Sequence, residues 1–276
     1  MKPNGKKFGN AISYIVLISG GLFMILPFIW MIFSSLKTMP EIMAIPPQWL
    51  PENPRWYNYV EAMHKAPFLR YFINSVIVTT GAVGLQTFLS ILMAYATSRF
   101  KFPGRDFIFT LFLGLMMVPY EMLLITNYVT MTKLGWLDTF YALIVPNIAN
   151  VYYTYILRTN FLSIPDSYYY SAKMDGAGNW KYLWRVMIPM CKSSVVTVIL
   201  LSAIGEWNSF LWPMIVTNSD ALRTVQVGLY TFRDDISSRY DLLMAAATVI
   251  TTPLMVLFIV ARKRIVAAFS GGGIKG

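Results

Sequence analysis

An all-α protein that crosses a membrane several times is the fold class that the sequence predicts, and three observations indicate it. Of the 276 residues, 56% are hydrophobic and only 13% are charged, whereas a soluble domain usually has about 25% charged residues. Several apolar stretches reach the roughly 20 residues that a helix needs to cross a bilayer. Basic residues are concentrated in alternate connections between these stretches. The net charge of +10 therefore reflects topology in a lipid bilayer, and we expect no nucleic-acid partner.

Six spans account for the apolar stretches. We place them at residues 12–33, 71–96, 107–129, 140–157, 193–216 and 242–261. The first span follows a basic segment but is longer than the core of a signal peptide, about 7–15 residues, so we interpret it as uncleaved. Five spans contain a proline, which a packed bundle tolerates because neighbouring helices satisfy the freed carbonyl groups. These prolines are Pro27, Pro119, Pro146, Pro213 and Pro253.

The orientation of the spans follows from the basic residues in the connections. The side that holds the N-terminus carries 15 Lys and Arg residues and three acidic ones, and the opposite side carries eight of each. Because Lys and Arg are retained in the cytoplasm, both termini are predicted to be cytoplasmic. The long connection at residues 158–192 is then cytoplasmic too. The segment between the first two spans is external, and its six prolines predict no long helix before its last third.

The counts of cysteine and histidine limit the kinds of site that the chain can form. Cys191 is the only cysteine, so no disulfide forms within the chain. His64 is the only histidine, so a multi-histidine metal site is excluded and no metal site is predicted. These two residues fall on opposite sides of the membrane in the predicted topology. A nucleophile and base of an intramembrane enzyme are therefore not expected.

The long cytoplasmic connection interrupts the apolar pattern with a polar and aromatic segment. Ser167–Met174 is predicted to be a short helix with Asp166 as its N-cap. Residues 175–178 include two glycines and are predicted to turn the chain, because glycine adopts positive φ at little cost. A second helix, capped by Asn179, is predicted to end at Met187. We call the resulting helix-turn-helix, residues 162–189, the elbow.

The spacing within the elbow resembles the EAA loop of bacterial ABC importer permeases. That loop reads Glu-Ala-Ala, three residues, Gly, nine residues, Ile, one residue, Leu-Pro. Tyr170 stands here at the glutamate position and Ser171 at the first alanine. The remaining positions correspond to Ala172, Gly176, Val186, Ile188 and Pro189. The main departure from the pattern is at position 170, where a tyrosine replaces the glutamate and its carboxylate.

Further segments extend the resemblance over nearly the whole chain. The stretch from Ala172 to Ala177 is similar to the carbohydrate-uptake branch of these permeases, the branch of the smaller maltose-transporter permease. Trp207–Pro213, Leu243–Ala247 and the terminal Gly-Gly-Gly-Ile-Lys-Gly are also similar to segments of that branch. Together with six spans in this order, they make the resemblance specific.

The resemblance implies one permease half of an importer in the bacterial cytoplasmic membrane. Its partners would be a second homologous permease, two ATPase subunits and an extracytoplasmic solute-binding protein. The elbow would be the coupling helix that docks on an ATPase. The coupling residues would be Tyr170, Ser171, Ala172, Asp175, Gly176, Ala177 and Pro189. In this family the C-terminal tail reaches between the ATPase subunits, which here implicates Gly271, Gly272, Gly273 and Lys275.

The chemistry of ATP hydrolysis is not expected in this chain. No G-x-x-x-x-G-K-[ST] phosphate loop occurs in the sequence. The chain is thus predicted to be a transport subunit, not an enzyme, with no catalytic residues. It would bind no cofactor itself, and ATP and Mg would be bound by the partner ATPase.

Polar side chains inside the predicted spans are candidates for the translocation path, because such groups are costly within a membrane and usually face a cavity or a partner. These candidates are Glu121, Asn127, Asn147, Asn150, Glu206, Trp207 and Asn208. Hydrogen-bonding groups beside aromatic faces suit a polyhydroxylated solute. A sugar or oligosaccharide is therefore the expected substrate.

Two alternatives stay open. Glycerol-3-phosphate or a related phosphoester is the first, because related importers carry it on the same scaffold; yet no Lys or Arg lies within the six predicted spans, which favours uncharged sugars. A gradient-driven carrier is the alternative of another class. Such a carrier often contains inverted repeats, and none is evident in the sequence.

Overall fold

The computed structural model describes residues 4–236 and 239–270, and within these ranges the chain is helical and contains no β-strand. The predicted all-α class is confirmed. The helices are α1 Asn4–Ser35, α2 Met39–Ile42, α3 Tyr57–Lys65, α4 Phe68–Arg99, α5 Arg105–Leu115, α6 Tyr120–Lys133, α7 Phe140–Ile144, α8 Val151–Leu162, α9 Asp166–Met174, α10 Asn179–Tyr182, α11 Ile188–Met190, α12 Lys192–Trp207, α13 Leu211–Val216, α14 Val225–Ile236 and α15 Tyr240–Ser270. A 3-10 turn covers Val145–Asn147 and a π-helical turn covers Leu183–Met187.

Two of the helices are long and apolar enough to cross a membrane without interruption. They are α1, over Ser13–Ser35, and α4. Pro27 lies inside α1 and Pro253 inside α15, and both helices continue past their proline. Most apolar side chains of α1 are exposed within this chain, so lipid or another subunit must cover them.

Three of the other four predicted spans are interrupted, whereas the sixth lies within the continuous helix α15. The third is divided into α5 and α6, which are bent by 93° across the break before Tyr120. The fourth is divided by the 3-10 turn that contains Pro146. The fifth is divided because α12 ends at Trp207 and α13 begins only at Leu211. Proline explains the first two breaks because it lacks an N–H and disfavours helical geometry in the residue before it. Six complete crossings remain a prediction.

The chain divides into two compact units. The first contains residues up to Phe68 together with Leu229–Pro253. Within it, the segment between α1 and α4 contains only the short helices α2 and α3, as its prolines predicted. The amide of Asn58 donates to the carbonyls of Ser35 and Lys37, both at 2.9 Å, and so holds the end of α1 against α3.

The second unit contains Leu69–Gly228 and the chain after Pro253. One of its cores surrounds the elbow and includes Phe161, Tyr182 and Met187. Another core packs α6, α7 and α13 around Trp212, whose indole N–H donates to the carbonyl of Ala142 at 2.8 Å. The elbow is thus attached to a packed helical body.

Candidate functional site

The turn in the elbow is a Schellman motif at the end of α9. The N–H of Ala177 donates to the carbonyl of Ala172 at 2.8 Å, and the N–H of Gly176 donates to the carbonyl of Lys173 at 3.0 Å. Gly176 has a φ of +73°, the left-handed conformation that this motif requires after the helix and that glycine adopts readily. The predicted break after α9 is therefore confirmed at Gly176.

The helix caps differ from the predicted ones. Asp166 is the first residue of α9, not its N-cap; Pro165 is at the cap position, with no side-chain hydrogen bond. Likewise Gly178, not Asn179, is the cap of α10. Both polar side chains bond elsewhere. Asp166 pairs with a buried arginine, and Asn179 accepts a hydrogen bond from the Tyr169 hydroxyl at 3.3 Å.

The second helix of the elbow is also shorter than predicted. It is α-helical only to Tyr182, continues through the π-helical turn and resumes as α11, which contains Pro189. Leu183 and Met187, at the two ends of the π-helical turn, are both buried in the elbow core. Packing of these two side chains accounts for a turn that the local sequence did not predict, since π-helical turns are rare and often local adjustments within longer helices.

The elbow divides its predicted coupling residues between a buried face and an exposed face. Ala172 and Ala177 are buried in the elbow core, so they pack and are not available to a partner. The residues left accessible are Tyr170, Ser171, Asp175, Gly176 and Pro189. Large side chains extend this exposed face, since 56% of Tyr170, 83% of Met174 and 61% of Trp180 are accessible. An exposed apolar and aromatic patch of this kind is typical of a protein contact.

The buried face fixes the elbow in place. Tyr182 is completely buried, and its ring meets that of Tyr169 edge to face at 5.1 Å between centroids. Phe161 from α8 and Tyr95 from α4 belong to the same core. The elbow therefore moves together with α4 and α8 unless this core is opened.

Arg99, at the end of α4, is a contact residue of the elbow that sequence reasoning did not single out. Its guanidinium donates to the carbonyls of Phe161 and Ile164, both at 2.8 Å, and forms an ion pair with Asp166. It thereby bonds one carbonyl in the last turn of α8 and one just after that helix, and it also holds the start of α9. The usable signal in the sequence is a basic residue directly after an apolar span, which indicates topology but not this contact.

A polar cluster lies within the apolar part of the second unit, between α4, the 3-10 turn and α12. The amide of Gln86 donates to the carbonyl of Asn147 at 2.5 Å and to a carboxylate oxygen of Glu206 at 3.0 Å. The hydroxyl of Ser202 donates to the Gln86 carbonyl oxygen, and the Tyr120 hydroxyl donates to the Asn147 side chain at 3.3 Å. We call these five residues the Gln86 cluster.

The Gln86 cluster brings together two of the seven predicted path residues, Asn147 and Glu206. Gln86, which joins them, was missed, although a glutamine within an apolar span is the same kind of signal that identified Glu206. Trp207 is adjacent but buried, and its ring meets Phe72 edge to face at 5.6 Å.

The remaining candidates lie outside the cluster. Asn150 caps α8 by accepting the N–H of Tyr153 at 3.2 Å, and Asn208 donates to the carbonyl of Ile204 at 2.9 Å. Glu121 is exposed in the first turn of α6, and Asn127 is half-buried on the same helix. Within the described ranges neither side chain is hydrogen-bonded to the cluster.

Two predictions of the sequence analysis are not addressed by this geometry. The tail residues Gly271, Gly272, Gly273 and Lys275 lie outside the described residues. In the described part of the chain, no group of three or more His, Cys, Asp or Glu side chains is arranged to hold a metal ion.

Known proteins resemble this chain over most of its length. A family described as "Binding-protein-dependent transport system inner membrane component" matches residues 86–270. A probable ABC transporter permease protein, YurM of Bacillus subtilis, is 32% identical over 282 residues, which cover 100% of this chain and 92% of that protein. The diacetylchitobiose uptake system permease protein NgcG of Streptomyces coelicolor is 32% identical over 266 residues, covering 95% of this chain and 88% of that protein.

The fold also matches a solved structure. In the crystal structure of a bacterial ABC transporter involved in the import of the acidic polysaccharide alginate, one chain superimposes with a TM-score of 0.83. The match covers 95% of this chain and 98% of the other at 22% sequence identity. At that identity the likeness establishes the fold alone.

Proposed function

Because the chain belongs to the family of binding-protein-dependent transport system inner membrane components, we propose that it is the permease subunit of an ATP-driven importer for a sugar or oligosaccharide. The observation that carries the proposal is the elbow, whose exposed apolar face is presented by a short helix that buried packing holds rigidly. The solute class is supported by the relative named as a diacetylchitobiose permease and by the uncharged polar groups of the Gln86 cluster.

Coupling to ATP hydrolysis occurs through the elbow in this proposal. The exposed side chains of Tyr170, Met174 and Trp180 contact a groove on a separate ATPase, and the turn at Gly176 shapes that surface. Closure of two ATPase subunits then moves the elbow, and the shared core transmits this movement to α4 and α8 as a rigid-body displacement. ATP and Mg are bound by the ATPase, and this chain supplies no nucleotide chemistry.

The membrane topology follows the distribution of charge. With basic connections inside, both termini and the elbow lie in the cytoplasm. The exposed apolar side chains of α1 are covered by lipid and by a second, homologous permease. The external segment, with α2 and α3, faces an extracytoplasmic solute-binding protein.

The C-terminal tail is a second contact with the ATPases. This part of the proposal rests on the sequence resemblance of the residues after Ser270. Removal of Ser270–Gly276 should lower the amount of solute moved per ATP hydrolysed. Unchanged coupling in the truncated protein would eliminate a role for the tail.

Purification of the tagged chain from native membranes in mild detergent tests the proposal. We expect an ATPase, a second permease and a solute-binding protein to copurify, and ATP hydrolysis to rise when the loaded binding protein is added. The ligand of that binding protein identifies the solute. A chain that is recovered alone, under conditions that preserve other ABC importers, would instead indicate a gradient-driven carrier.

A further inference from the structure

We propose that Glu206 is a charge filter in the solute path, and that its carboxylate favours neutral sugars and amino sugars over sugars that carry a carboxylate or a phosphate. This inference rests on the proposed function and narrows its substrate class. Three features carry it: the partners of Glu206, its depth in the membrane and its accessibility.

The carboxylate of Glu206 is held by an amide, not by a cation. Its hydrogen-bond donor is the Gln86 side chain at 3.0 Å, and among the ion pairs of the described residues none includes Glu206. Gln86 is itself fixed, because it also bonds Ser202 and the carbonyl of Asn147. The carboxylate therefore has a defined position and no fixed cation beside it.

Two independent helices place this group deep in the membrane. Glu206 is 14 residues after Lys192, at the cytoplasmic end of α12, and Gln86 is 13 residues before Arg99, at the cytoplasmic end of α4. At 1.5 Å per residue, each lies roughly 20 Å from its basic end. The hydrocarbon core is about 30 Å thick, so Glu206 lies within it.

Glu206 is not fully enclosed by this chain. Glu206 is half-buried, and its neighbours Gly205 and Asn208 are exposed. An ionisable side chain at this depth is costly when it faces lipid, so it faces a cavity or a partner. Accessibility, depth and the neighbouring polar groups together place Glu206 on the solute path.

The titratable groups that interact with Glu206 in the described part of the chain include no cation. Tyr120 lies close enough to interact electrostatically with both Glu206 and Glu121, and Tyr153 also interacts with Glu206. No Lys or Arg belongs to the Gln86 cluster. Because charges interact strongly in a low-dielectric interior, an anionic sugar would be repelled here. Sugar hydroxyls, in contrast, find amide and phenol partners.

Import into proteoliposomes by the purified complex with its binding protein tests the filter. Maltose, cellobiose and diacetylchitobiose serve as neutral probes, and the best-imported one is compared with its uronic acid, in which a terminal CH₂OH is oxidised to a carboxylate. Both are supplied at saturating concentration. We expect Glu206→Gln to lower the neutral-to-anionic ratio of import rates about tenfold, the order expected for removing one nearby charge. The binding protein is the same in every sample, so a changed ratio reports on the permease.

The matched control is Asp106→Asn, which removes a charge of the same sign from a side chain that is 69% exposed and belongs neither to the Gln86 cluster nor to the elbow. It should leave the ratio unchanged, and an equal change in this control would mean that overall charge, not Glu206, sets the selectivity. A ratio unaltered by Glu206→Gln overturns the filter, as does a wild-type complex that prefers the uronic acid. A folded Glu206→Gln complex that imports neither probe would also overturn it, since the carboxylate would then be required for transport itself. Failure of an ATPase to copurify would instead reject the proposed function.

Discussion

Arg99 and Asp166 form an ion pair between a buried side chain and an exposed one. The side chain of Arg99 is 6% exposed and that of Asp166 is 68% exposed. Arg99 ends α4 and Asp166 begins α9, so the pair lies where a membrane helix meets the elbow. The buried partner also donates to the carbonyl of Phe161, in the last turn of α8, and to that of Ile164, just after the helix. Arg99 is therefore expected to contribute more to the stability of this contact than Asp166.

Substitution of these two residues should reveal the asymmetry. Arg99→Met leaves the carbonyl of Ile164 without its side-chain donor, while the carbonyl of Phe161 keeps the N–H of Ile164 at 3.3 Å. The loss of this donor and of the buried charge pair should cost about 2–4 kcal/mol. Asp166→Asn removes a largely solvated charge and should cost less than about 1 kcal/mol. Thermal unfolding in detergent, with both variants measured beside the wild type, checks this order. Equal losses would mean that the ion pair, not the carbonyl contacts, holds the elbow.

Replacement of Gly176 should distort the coupling turn. Gly176→Val forces a β-branched residue to a φ of +73°, at a cost of about 1–2 kcal/mol. A Cβ at this position would meet no atom within 4 Å, so the strain comes from the backbone alone. We expect import and stimulated ATP hydrolysis to fall together in reconstituted complexes.

Gly178→Val is the matched control for this substitution. Gly178 has a φ of −69°, which any residue adopts, and a Cβ there also meets no atom within 4 Å. It should retain most of the coupled activity. If both variants were equally impaired, bulk on the exposed face, and not the left-handed turn, would be the cause.

The indole of Trp212 should matter more to stability than the indole of Trp207. Trp212→Phe leaves the buried carbonyl of Ala142 without its donor, which should cost about 1–3 kcal/mol in addition to the lost packing. Trp207→Phe removes a buried indole N–H that has no hydrogen-bond partner within the described residues. The loss of unfolding free energy should therefore be smaller in Trp207→Phe than in Trp212→Phe, by about 1–3 kcal/mol. Unfolding free energies of the two variants in the same detergent provide the comparison, and a larger loss for Trp207→Phe would contradict it.

Asp138 should make a pH-dependent contribution to stability. Its carboxylate joins the connection after α6 to the segment after α13, because it accepts the N–H groups of Asn218 at 3.0 Å and Ser219 at 3.2 Å. Partial burial raises the pKa of this carboxyl, but the hydrogen bonds from Ser219 and Asn218 outweigh it, and the pKa is lowered overall. The contribution is thus present above the unfolded-state pKa of about 3.9 and is lost as the pH falls through the folded-state pKa.

The test compares Asp138→Asn with the wild type across the acidic range. The variant should melt at a lower temperature near neutral pH. The difference should shrink as the pH falls below the unfolded-state value of about 3.9 and through the lower folded-state pKa. Thermal unfolding of both proteins from about pH 7 to about pH 3 measures it. A difference that stays constant over this range would show that the charge of Asp138 is not involved.

Local patterns in the sequence predicted several features because each depends on neighbouring residues. The turn at Gly176 is one example, since two glycines after a short helix indicate a left-handed residue from local sterics alone. The breaks near Pro119 and Pro146 are not among these features, because the sequence predicts continuous spans there. A proline is compatible with a continuous helix, as in α15, or with a complete break, and packing around the helix decides between them.

The sequence by itself determined the helical class, the apolar segments, the uneven distribution of charge and the position of the elbow, because composition and spacing along the chain express these directly. Only the tertiary structure decided that Arg99 holds Asp166, 67 residues away, and that Gln86 holds Glu206, 120 residues away. It also decided that Ala172 and Ala177 pack inside while Tyr170 and Trp180 face outward. Such contacts arise from the packing of distant helices, and the periodicity of a single segment carries no record of which partner it meets.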